Sequence, residues 1–103
     1  MKINQRRINT YMADGDPTAN STEAQASVTA ALDSVTVINN ITTNDASVAE
    51  QTTAEKVDDA DRNYRHIEIM KDKSWFWDTA TADQKTTLSN AITAGKAYYD
   101  ANK

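Results

Sequence analysis

Residues 46–77 read ASVAEQTTAEKVDDADRNYRHIEIMKDKSWFW, and their spacing points to a helical architecture. Within it Ala49, Thr53, Val57, Ala60, Tyr64 and Ile67 follow one another at steps of four and three. That rhythm returns each residue to one side of an α-helix, so these small and apolar side chains form a seam for neighbouring helices. Ser47 and Glu50 have the spacing of a capping box, in which two side chains satisfy early backbone donors reciprocally. The pattern predicts a long helix over about 46–73. Asp58 with Arg62 and Asp61 with Arg65 are acid-before-base pairs four apart, each supporting an exposed helix face by about a few tenths of a kcal/mol.

Trp75-Phe76-Trp77 follows that helix directly. Three consecutive rings cannot all face one core, so at least one sits at a boundary, covering the protein's own corner or inserting into a partner. The corner reading is the stronger, with one ring able to serve both roles.

Toward the C-terminus, Thr81 and Gln84 repeat the capping-box spacing and open a helix that reaches about residue 100. Leu88, Ala91, Ile92, Gly95, Tyr98 and Tyr99 share one of its faces. Gly95 either permits a close backbone approach or weakens the last turns by about 1 kcal/mol. The short connection makes this helix and the long one antiparallel neighbours.

Toward the N-terminus, Asn44-Asp45 breaks the pattern. A further helix over about 21–43 is predicted from Ala24, Val28, Ala31, Leu32, Val35, Ile38 and Ile41, capped by Asn20 or Thr22. The β-branched run Ser34-Val35-Thr36-Val37-Ile38, followed by Asn39-Asn40, leaves a strand and turn as an alternative. Residues 1–17 form an arm, with Asp14-Gly15-Asp16-Pro17 as its closing turn. The spacing of Ile3, Ile8, Tyr11 and Met12 fits a short helix, an edge strand or an extended strap.

Composition narrows the functional classes. Only 15 of 103 residues are Leu, Ile, Val or Phe, below the level of roughly 20% at which chains become marginal folders. The net charge of -4 is too small for outright disorder. The aromatic residues gather toward the C-terminus, so the C-terminal half is expected to be the better folded, and the core-poor first half to make contacts between chains. Charge is segregated: residues 1–13 carry +3 through Lys2, Arg6 and Arg7, residues 14–61 carry -9, and residues 62–103 carry +2. A basic arm can dock on an acidic middle of its own or a neighbouring chain, within a screening length of about 10 Å.

Without cysteine there is no disulfide, thiol catalysis or Cys-based zinc site. No apolar run approaches the roughly 18 residues of a membrane span, and the N-terminus lacks the apolar segment of a signal peptide. A soluble protein is expected. His66 is the lone histidine and gathers no ligand set, while Glu55, Asp58, Asp59 and Asp61 lack the turn spacing of a calcium loop. Gly15 and Gly95 cannot make a phosphate-cradling loop. The bases Arg62, Arg65, Lys71 and Lys73 alternate with Glu68 and Asp72, unlike a nucleic-acid footprint. The expectation is a non-enzyme with no cofactor, metal, nucleic acid, membrane or small-molecule substrate. It acts through protein contacts, and the candidate contact residues are Arg6, Arg7, Ile8, Tyr11, Trp75, Phe76, Trp77, Tyr98 and Tyr99.

Asn63-Tyr64-Arg65-His66-Ile67-Glu68-Ile69-Met70-Lys71-Asp72-Lys73, then Trp77, then Asn90-Ala91-Ile92-Thr93-Ala94-Gly95-Lys96-Ala97-Tyr98 resembles the C-terminal portion of small virion-associated proteins of tailed bacteriophages. The resemblance spans roughly residues 60–100 and implies a copy-rich building block at the capsid surface, neck or tail, bound to larger virion proteins or to itself. It carries over no functional residue. The alternative is a regulatory module that captures a soluble host or phage protein. For the architecture, the expectation is an all-α bundle built on a long-helix hairpin, with a short N-terminal arm.

Overall fold

The computed structural model describes residues 16–103, and within them the chain is an all-α bundle with no strand. Its elements are α1 (Thr22–Thr42), a 3-10 turn (Ala46–Val48), α2 (Thr53–Lys71), the short α3 (Ser74–Thr79) and α4 (Ala82–Asn102). The long helices α1, α2 and α4 run up, down and up, each touching the other two, and α3 closes one end against α1 and α2. The expected helical bundle is therefore present, and the strand alternative for Ser34–Ile38 is not. Tertiary burial of Ser34, Val35 and Ile38 on one face outweighs the β preference of that run.

Each long helix begins where a side-chain oxygen can take an early backbone N–H. Ser21 Oγ accepts from Ala24 N at 3.1 Å, so the cap of α1 is the residue between the two expected. Asn20 instead has φ of 67°, a left-handed backbone that asparagine tolerates better than most residues. At its other end α1 stops in a Schellman arrangement: Asp45 N donates to Asn40 O at 2.9 Å, and Asn44 N to Ile41 O at 3.2 Å. Asn44 takes the left-handed position there, with φ of 55°.

The expected start of the long helix at residue 46 is corrected. Asp45 accepts the Ser47 backbone N–H at 2.8 Å, so Ser47 belongs to a 3-10 turn, and the chain reaches α2 only through the second of two consecutive box patterns. There Thr52 N donates to Glu55 Oε1 at 2.8 Å, and Glu55 N donates to Thr52 Oγ1 at 3.1 Å. Val48 turns inward onto Ile41 and Ala60, which holds the turn in place. Ala49 and Thr53, assigned by periodicity to the seam, are exposed. The Ser47 backbone N–H, followed by its hydroxyl, holds the Asp45 carboxyl below its usual 3.8. This contribution to stability is present above about pH 3.8 and is lost as the pH falls through the lower folded value.

The expected box at Thr81 and Gln84 forms with both reciprocal bonds, at 2.9 and 3.1 Å. Replacing Thr81 or Thr52 with alanine is expected to destabilise the protein by about 0.5–2 kcal/mol. Urea unfolding followed by circular dichroism measures this as a lower midpoint at unchanged slope.

The main core joins Val28, Ala31, Val35 and Ile38 of α1 to Tyr64 and Ile67 of α2, Phe76 and Ala80 at the corner, and Leu88 and Ala91 of α4. A smaller cluster of Ile41, Val48 and Ala60, flanked by Val37 and Tyr98, lies at the opposite end. The expectation that the first half is core-poor is thus corrected: α1 buries seven residues, more than α2 or α4. A count of large aliphatics misses Ala24, Ala31 and Ser34, whose small side chains let the helices approach closely.

Gly95 marks a close approach of the helices. A Cβ at this position would lie 2.8 Å from Tyr64 Cβ and 3.2 Å from Ile38 Cδ1, so all three long helices converge on it.

Candidate functional site

The aromatic triplet lies within α3, so the short connection is itself one helical turn and more. Phe76 is fully buried, whereas Trp75 and Trp77 flank it half-buried. This meets the expectation that three consecutive rings cannot share one core. Trp75 stands edge-on to Phe76, with centroids 6.3 Å apart. Thr79 ties this corner to the start of α1: its Oγ1 accepts from Asn20 N at 2.7 Å and donates to Trp75 O at 2.6 Å. The Trp77 ring lies between two ammonium groups, Lys71 Nζ at 5.2 Å and Lys85 Nζ at 5.7 Å from its centroid. Contacts of this kind stabilise by about 0.5–1 kcal/mol at an exposed site. They join α2 to α4 across the corner.

Tyr98 and Tyr99 lie far from this triplet. From Ala82 to Tyr98 the rise along α4 is about 24 Å at 1.5 Å per residue, so the C-terminal candidates form two separate surfaces. Tyr98 packs on the small cluster. Tyr99 meets Tyr64 with ring centroids 6.3 Å apart, and Lys103 Nζ sits 5.2 Å from its face. Arg6, Arg7, Ile8 and Tyr11 lie outside the described residues.

Burial pushes the Tyr64 phenol above its usual 10.0; Arg65 opposes the rise, while Asp61, Glu68 and Asp100 add to it. The folded protein holds this proton more tightly than the unfolded chain. The resulting stabilisation is complete below about pH 10 and is lost as the pH rises through the folded value. Thermal unfolding between pH 8 and 11 is expected to show a fall above about pH 10 that Tyr64→Phe reduces.

The outward side of α2, exposed as its acid-base pairs imply, presents a second surface. An open groove there is lined by Asp58, Asp61, Arg62, Arg65, His66 and Ile69. Ile69 is 60% exposed and is the one large aliphatic so placed among the described residues. Beside it Glu68, Lys71, Asp72 and half-buried Ile92 line a second open groove toward α4. Ile69 follows Ile67 by two positions, about 200° around a helix at 100° per residue. Its outward direction was therefore readable once Ile67 was assigned to the core.

The ion pairs differ in part from expectation. Arg65 Nε binds Asp61 Oδ1 at 2.6 Å, as spacing predicted. Arg62 pairs with Asp59, three residues back, and not with Asp58. Asp58 consequently has no ion-pair partner among the described residues. No group of three or more His, Cys, Asp or Glu residues suited to a metal ion occurs among those residues, and no helix there is long and apolar enough to cross a membrane.

Fold and surface define the class: a three-helix bundle with a short capping helix, carrying its distinctive side chains on open faces. Comparison with protein-family models, curated protein sequences and solved structures finds no match.

Proposed function

We propose that this chain is a small structural or adaptor protein of a tailed-phage virion, at the capsid surface, neck or tail, and that it works through protein contacts without catalysis. The observation that carries the contact-making part of this reading is Ile69, 60% exposed on the outer face of α2 and bordered by Ile92 and a ring of charges. Ile69 and half-buried Ile92 together put an apolar centre inside a border of Glu68, Lys71 and Asp72, the arrangement of a small contact surface. Half-buried Trp75 and Trp77 add a second such surface at the corner. The virion setting rests on the resemblance of residues 60–100 to small virion-associated proteins. A small core also suits a protein whose stability rises on binding, by mass action.

Mass spectrometry of purified phage particles, made in cells that express the gene from its own phage genome, tests the setting. Recovery of the chain in stoichiometric amounts is the expected result. A chain found only in the cell lysate, held to a soluble protein, would replace this reading with that of a regulatory binding module.

A further inference from the structure

The outer stripe of α2 is self-complementary when read in opposite directions. Ala54, Asp58, Arg65 and Ile69 are all exposed, and at 100° per residue they fall within about 60° of one another, turned away from the buried Val57, Ala60, Tyr64 and Ile67. Acid lies toward the N-terminal end of this stripe and base with an aliphatic toward the other. We propose that this face is the contact between two copies of the chain, packed α2 against α2 in antiparallel fashion about a two-fold axis passing beside residues 61 and 62.

The pairing follows from spacing. Asp58 and Arg65 lie equally far from that axis, as do Ala54 and Ile69. Each Asp58 then faces Arg65 of the second copy, and each Ile69 lies over the second copy's Ala54, where the small side chain leaves room. A closed two-fold contact repeats every such pairing twice, so a modest pair gains weight. Asp61 and Arg62 sit beside the axis, each facing the other's counterpart on the second copy, and Arg65, bonded through Nε to Asp61 of its own helix, keeps its remaining guanidinium N–H groups for the second copy's Asp58. Asp58 brings an acid unpaired among the described residues and Ile69 an apolar side chain still in water, so both gain from the second copy. One helix laid on another buries less than the roughly 1,200 Å² of a standard interface, which places the dimer among weak, concentration-dependent associations.

The inference deepens the contact-making part of the proposed function and rests on it, but not on the virion setting. It is tested in solution with the full chain, whereas that setting is tested in particles, so the two can fail separately. Sedimentation equilibrium from about 10 µM to 1 mM is expected to show a monomer–dimer equilibrium that weakens as salt rises from about 0.05 to 0.5 M. Asp58→Arg and Arg65→Asp should each weaken association at least tenfold, because each sets like charges opposite one another twice. An equimolar mixture of the two variants should recover it, since the mixed pair again matches opposite charges at both positions. Both substitutions are at exposed sites, and unchanged helical circular dichroism confirms that each variant folds. A native chain that stays monomeric across the range overturns the proposal, as does a mixture that associates no better than either variant alone.

Discussion

Phe76→Ala is expected to cost about 3–5 kcal/mol, the range for deleting a fully buried aromatic side chain. Phe76 has no exposed surface and sits where α3 plugs the end of the bundle against α1 and α2. Its loss removes the ring from water-excluded packing and leaves a void among Val28, Ala31, Ala80 and Leu88, which belong to the same core. Val28 and Ala31 are held by α1, capped at Ser21, and Leu88 by α4, capped at Thr81, so collapse around the void is incomplete. Domains of this size have total stabilities of about 5–15 kcal/mol, and the variant thus spends a large fraction of the margin. Urea unfolding at 25 °C should place its midpoint far below that of the native chain. Trp75→Ala and Trp77→Ala should shift the midpoint much less, because both rings are half-buried and part of their surface is already in water. Equal losses at all three positions would contradict the assignment of Phe76 as the plug.

Gly95→Val is the second large effect, and its sign is set by two opposing terms. Replacing a mid-helix glycine recovers at most about 1 kcal/mol of helix propensity, and valine recovers less than alanine. Against this, the new Cβ would lie 2.8 Å from Tyr64 Cβ, an atom fixed directly to the backbone of α2. Relief requires α2 and α4 to separate, which opens the core around Ile38, Ile67 and Leu88. Overpacking of this kind costs about 1–3 kcal/mol and occasionally more, and the two further methyl groups of valine place the cost at the upper end. A lowered thermal midpoint is the expected outcome. Ile38→Val in the same chain should restore little, since it eases only the softer 3.2 Å contact. A variant more stable than the native chain would mean that the helices are not held at this distance.

Much of the bundle was legible because helical periodicity is a local property. The spacing of Val57, Ala60, Tyr64 and Ile67 located the buried face of α2, and the box at Thr81 and Gln84 located the start of α4. The start of α2 was not legible, because two box patterns follow one another and local chemistry supports both. Asp45 and the burial of Val48 decide between them, and the second of these depends on Ile41 and Ala60, which are distant along the chain. The candidate surfaces were legible in part. Adjacency alone required at least one ring of the aromatic triplet to sit at a boundary, whereas which ring is buried, and the separation of Tyr98 and Tyr99 from that surface, came from the packed helices. The switch of Arg62 to Asp59, which leaves Asp58 without a partner among the described residues, turned on the choice between neighbours three and four apart, and spacing scores these alike.

The 3.6-residue period and capping chemistry within a few positions set the helical class, the order of the three long helices and most of the residues turned inward, with Ala49 and Thr53 as exceptions. The tertiary structure decided how closely the helices approach at Gly95, that α1 supplies the largest share of the core, and that Phe76 closes the end of the bundle. Those outcomes depend on volumes meeting across the fold, where small residues count as much as large ones. The outer face of α2 belongs to both: its charges are written in the sequence, but which of them remain unpaired was settled only once the side chains were set in three dimensions.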